Sequence, residues 1–186
     1  MSALLIVLGV ALVLVLWFVS VYNGLVRLRN QVDNAWAQID VQLKRRHDLI
    51  PNLINTVKGY MSHERDTLEA IVKARTAAMA ATGPAQAGPA EAQLTGALRG
   101  LMVNVERYPD LKASASVLHL QRSLAEIEEQ IAAARRFFNA AVTSYNDTVQ
   151  SFPASLVAGA FGFAPRTWLS ADAAERRRPN ADFPCP

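Results

Sequence analysis

Cysteine is all but missing: Cys185 stands alone in 186 residues, so no disulfide can close within the chain and no thiolate cluster can hold a metal. Histidine is scarce, and His47, His63 and His119 lie far apart in sequence. His63-Glu64 has Thr67 where a zinc-protease helix needs its second histidine. There is no G-x-S-x-G turn, no glycine loop of the phosphate-cradling kind, and no nucleophile grouped with a base. These absences predict a protein that is not an enzyme, with no catalytic residues, no metal and no cofactor. Charge is also thin: Lys and Arg total 19 against 16 Asp and Glu, mixed along the chain with no basic tract, so nucleic acid is not an expected partner.

What the chain does have is a long apolar start. Ser2 to Tyr22 carries no charged side chain, and the first one in the chain is Arg27. As a helix this stretch reaches about 30 Å, the thickness of a bilayer's hydrocarbon core. The run is longer than a signal peptide's, and Val19 to Asn23 offers no small-x-small cleavage site. Residues 1–22 therefore read as an uncleaved transmembrane anchor. Trp17, Tyr22, Arg27 and Arg29 are placed for the membrane interface, where aromatic rings settle and long basic side chains snorkel. Arg27, Arg29, Lys44, Arg45 and Arg46 follow the span, so the positive-inside rule predicts a single-pass protein of the bacterial inner membrane with its N-terminus outside and its C-terminal domain in the cytoplasm.

Beyond the anchor, apolar residues recur at three- and four-residue spacing from Leu25 to Ile71, which predicts one helix over about 23–80 with a kink at Pro51. Ala80 to Pro89 reads as a loop, followed by a helix over about 91–107 that ends at Tyr108-Pro109. A last helix over about 111–152 has a heptad of Val117, Leu124, Ile131, Phe138, Tyr145 and Phe152, with Arg122, Glu126, Glu129, Arg136 and Asp147 on the solvent side. The expected fold is all-α: a transmembrane helix continuing into an antiparallel helical bundle or coiled-coil hairpin over 23–153, up-and-down in topology. The arms 25–80 and 94–152 would each be about 85 Å long, which favours the hairpin over a compact bundle. Residues 154–186 form a tail, first apolar (Leu156 to Phe163) and expected back at the bilayer surface, then Arg- and Pro-rich.

Three polar groupings invite a role. Asp40, Lys44, Arg45, Arg46, His47 and Asp48 would form ion pairs at four-residue spacing or a docking patch for a protein partner. Pro51 and Gly59 are candidate hinge residues. Asn139 and Asn146, seven apart beside Phe138 and Tyr145, would set register and oligomer number as polar residues on a packed seam.

Tyr22-Asn23-x-Leu25-Val26, Ala35-Trp36, the run from Ile39 through His47-Asp48-Leu49-Ile50-Pro51-Asn52 to Ile54, Glu106-x-Tyr-Pro-Asp-Leu-Lys-Ala113, Tyr145-Asn146 and Phe152-Pro153 closely resemble the LemA family of bacterial membrane proteins. His47 stands where that pattern has Phe or Tyr. The resemblance implies a membrane-anchored helical bundle, and a link to membrane biogenesis or to a membrane protease. Together these readings predict a non-enzymatic scaffold or adaptor that contacts the lipid bilayer, forms a homo-oligomer and engages another envelope protein such as a membrane protease. A membrane-remodelling protein and an accessory regulator of a protease are the alternatives.

Overall fold

The computed structural model describes residues 1–61 and 63–169, and the Arg-rich stretch and Cys185 fall outside them. The described residues are helical without a strand. Helix α1 (Ser2–Lys58) is unbroken, about 85 Å long, and its residues through Ser20 are exposed on every side. That exposed, uncharged length is the transmembrane helix. From Leu25 a buried stripe begins, with Val32, Ala35, Ile39, Leu43, Ile50, Leu53 and Val57 facing the rest of the protein.

At Gly59 the chain turns back, which corrects the single helix expected over 23–80. Helix α2 (Arg65–Ala80) descends beside α1, and α3 (Gly83–Val105) climbs again along α2. The link between them is Ala81-Thr82, far shorter than the expected loop. Pro84 sits in the first turn of α3, where its missing N–H would be unpaired in any case, and Gly83 holds φ +72°, a conformation that a side chain would strain. Pro and Gly thus mark a tight reversal here. A short helix α4 (Pro109–Lys112) caps the far end, and α5 (Ala115–Gln150) returns along the full height of the post-membrane part of α1. The order is up, down, up, down, so the equal arms expected from chain length give way to a nested arrangement in which α2 and α3 form an inner hairpin.

Two apolar cores follow. The far one joins Ile50, Leu53 and Val57 to Ile71, Leu94, Leu101, Leu111 and Val117 from α1 through α5. The near one has only α1 and α5 as long helices, meeting at Val32, Ile39, Phe138, Val142 and Tyr145, with Trp36 edge-on to Phe138. Its open side is closed by α6 (Ala154–Phe161) through Val157 and Ala158, and by the extended strap 163–169 through Phe163 and Leu169. Gly162, at φ +70°, makes the sharp exit from α6 into the strap. The heptad on α5 is buried from Val117 to Tyr145, but Phe152 lies past the helix end and is 80 % exposed, a correction to the expected seam.

Candidate functional site

Counting along α1 in sevens from Leu25 gives Val32, Ile39, Arg46 and Leu53, so an arginine occupies a core position. Arg46 is 1 % exposed and lies at the boundary between the two apolar cores. The same count on α3 runs Glu91, Leu98, Val105, and Glu91 is likewise 1 % exposed. These two misfits meet. Arg46 Nη1 pairs with Glu128 Oε1 of α5 at 2.8 Å, while Nη2 donates to Thr95 Oγ1 at 2.9 Å and to the Glu91 carbonyl at 3.3 Å. Nη2 also lies 3.5 Å from Glu91 Oε2. His47 Nε2 stands 2.7 Å from Glu91 Oε1, a separation at which the ring nitrogen donates to the carboxylate.

Pro51 completes this hub. Having no N–H, it leaves the carbonyl four residues earlier, that of His47, without a helical donor. Arg75 of α2 supplies one, its Nε donating to His47 O at 2.8 Å. The proline therefore creates an acceptor that ties α2 to α1. Replacing Arg75 by Met should leave that carbonyl unpaired and cost about 1 kcal/mol, a fall in melting temperature of about 2–4 °C by circular dichroism.

The expected docking patch is thus split. Arg46 and His47 are buried and internally bonded, whereas Asp40, Lys44, Arg45 and Asp48 are exposed. Among the described residues these four form no ion pair, so the ladder at four-residue spacing is absent. Trp36, Asp40, Lys44 and Asp48 instead line one wall of an open cleft of about 410 Å³, opposite the α2–α3 turn, with His47 and Glu91 at its floor. The candidate hinge residues also part company: Pro51 is held inside continuous α1, and Gly59 sits at the turn that ends it.

Asn139 and Asn146, expected on a seam between copies, spend both ends of each amide within the chain. Asn146 Nδ2 donates to Arg166 O and its Oδ1 accepts from Arg166 N, both at 2.8 Å. Asn139 treats Leu169 the same way, at 3.0 and 2.9 Å. Seven helical residues rise about 10.5 Å and three extended residues about 10 Å, so two asparagines seven apart match backbone groups three apart. Tyr145 Oη donates to Ala164 O and Trp168 Nε1 to Thr143 Oγ1, completing the clamp. Nearer the bilayer, Tyr22 packs edge-on to Phe161 and Phe163, Arg29 stacks over Phe163, and Arg27 and Trp17 are exposed.

The model of the LemA family matches residues 35–183, which takes in the hub, the cleft and the clamp. The chain belongs to the LemA family. Its relatives include Protein LemA of Metamycoplasma hominis, 29 % identical over 143 residues, 76 % of this chain and 65 % of that protein. Magnetosome protein MamQ of Magnetospirillum gryphiswaldense is 26 % identical over 168 residues, and Magnetosome protein MamQ 2 of Paramagnetospirillum magneticum 25 %, each over 76 % of this chain and 62 % of the relative. The chain thus spans under two thirds of the length of these relatives. Family and apolar helix together make it a membrane-associated protein.

Proposed function

We propose that this LemA-family chain is a non-enzymatic scaffold or adaptor of the bacterial inner membrane, holding a helical bundle at a set height for self-association and for a second envelope protein. The observation that carries the reading is the continuity of α1, one helix from the bilayer to the far end of the bundle, against which α2 and α5 return. Of the surviving docking residues, Asp40, Lys44 and Asp48 line a cleft about 30 Å above Tyr22, out of reach of lipid charge and open to a protein. Self-association has its own candidate face. Val41 and Phe137 are exposed on the α1–α5 groove, which Gln38, Gln42 and Gln130 also line, so a second copy would meet an apolar pair rimmed by amides. The N-terminus outside and the bundle in the cytoplasm follow from Arg27 and Arg29 beside the span.

Membrane biogenesis or remodelling is the second reading, supported by the magnetosome relatives. A photo-crosslinker at Lys44 and another at Phe137, in full-length protein in cells, tests the proposal. The Phe137 probe is expected to yield the chain's own dimer and the Lys44 probe one recurrent envelope protein, a protease among the candidates. Adducts at neither position would sink the scaffold reading.

A further inference from the structure

Between Asp147 and Arg166 no ionisable side chain occurs, and this stretch forms the base of the bundle. Helix α5 ends at Gln150, α6 crosses the base, and the strap turns upward after Gly162. One face of α6 is spent on the near core through Val157 and Ala158. The remainder is bare: Leu156 is 65 % exposed, Phe161 53 % and the preceding Phe152 80 %, with Gly159 and Ala160 exposed between them. Water is a poor solvent for such a surface, yet its position explains it. The Phe161 ring lies 5.7 Å from that of Phe18, within the apolar run, and 5.0 Å from that of Tyr22 at its end. The C-terminal end of α6 is therefore level with the point where α1 leaves the hydrocarbon, and Arg29 over Phe163 marks the polar side above it.

We propose that α6 is a second membrane contact, an uncharged interfacial helix whose Phe152, Leu156 and Phe161 enter the headgroup–acyl boundary of the same bilayer leaflet that α1 exits. Interfacial helices sink their apolar face about 5–10 Å into that boundary, a depth that the offset between Phe18 and Tyr22 on α1 spans. The occupant is lipid because the exposed face is continuous, through Phe161, Tyr22 and Phe18, with the transmembrane surface. The absence of cations on α6 means that the contact is apolar and insensitive to the charge of the lipid, unlike a basic amphipathic helix.

The inference rests on the transmembrane reading of α1, and the test separates the two. Full-length protein carrying Cys185→Ser and one added cysteine, L14C, L156C, A160C or V103C, is labelled with an environment-sensitive fluorophore and reconstituted into phosphatidylcholine vesicles containing doxyl-labelled lipid. Labels at 156 and 160 are expected to be quenched at least about two-fold more than the label at 103, at the far end of the bundle, and to resist aqueous iodide to a matching degree. Replacing a fifth of the lipid by phosphatidylglycerol should leave this unchanged. Strong quenching at 14 with 156 and 160 no more quenched than 103 overturns the inference and spares the anchor. Weak quenching at 14 overturns both. All labelled positions are exposed, and a far-ultraviolet spectrum identical to that of the unlabelled chain shows that the fold is kept.

Discussion

Arg46→Met is expected to lower the stability of the bundle by about 3–5 kcal/mol and its melting temperature by about 10 °C, although methionine keeps the aliphatic stem. The loss comes from what is left behind. Glu91 is 1 % exposed, and without the guanidinium its charge is buried with His47 as its remaining side-chain partner. Arg46→Met combined with Glu91→Leu should recover most of the loss, because a buried pair replaced as a unit by apolar groups exchanges desolvation for packing. Glu128→Gln should cost no more than about 1 kcal/mol, since Glu128 is 42 % exposed, the amide oxygen can still accept from Arg46, and Glu91 still faces the guanidinium. Thermal melts of the full chain in detergent, followed at 222 nm, check all three. Equal losses for the single and double variants would mean that the hub acts through shape alone.

The second large effect is expected at the clamp. Asn139→Ala with Asn146→Ala removes four hydrogen bonds and leaves the N–H and C=O of Arg166 and Leu169 without their protein partners, a loss of about 3–4 kcal/mol at about 1 kcal/mol each. Hydrogen exchange should localise it. The amides of residues 166 and 169 should exchange as fast as an open chain, while those of α2 and α3, in the separate far core, stay protected. Asn146→Asp is a sharper probe: it keeps an acceptor for Arg166 N but sets a carboxylate oxygen against Arg166 O. It should therefore loosen the strap at Arg166 O while Leu169, held by Asn139, stays protected. If exchange at 166 and 169 is unaltered by the double substitution, the strap is held by Phe163 and Leu169 alone.

Periodicity exposed the helical elements and much of both cores, because each long helix buries a stripe that the three-four spacing reveals. The residues Leu25, Val32, Ile39, Leu53, Val117, Leu124, Ile131, Phe138 and Tyr145 are all buried. Length was a poorer guide. The arms matched in residue count, but the turn at Gly59 carries no strong local signal, and the Gly-Pro signal after Ala81-Thr82, read as a loop to Pro89, marks the start of α3 instead; the packing of α2 against α1 and α3 decides both. Arg46 and Glu91 were legible in principle, since each occupies a heptad position otherwise held by Leu, Ile or Val; grouped with its charged neighbours, Arg46 read as surface. Which charge is buried depends on whether another helix brings a countercharge, and Glu91 is 45 residues away in sequence. Asn139 and Asn146 stand out by their spacing, but that spacing reads as a seam between copies; their partner in the structure is an extended backbone, which leaves no side-chain pattern to find.

The continuity of α1 has a mechanical consequence. Transmembrane helices stand tilted by about 20° on average, and one that is long for its bilayer accommodates a thinner one by tilting further. With no joint between bilayer and bundle, a tilt of about 10° would carry the hub, about 36 Å above Tyr22, sideways by about 6 Å. A foot at the level of Phe161 turns the pivot into a two-point stance: leaning one way drives α6 into the acyl chains, leaning the other lifts its phenylalanines into water. Bilayer thickness is then felt as a torque about the foot, and the cleft beside Lys44 is presented at an angle that depends on the membrane in which the protein stands.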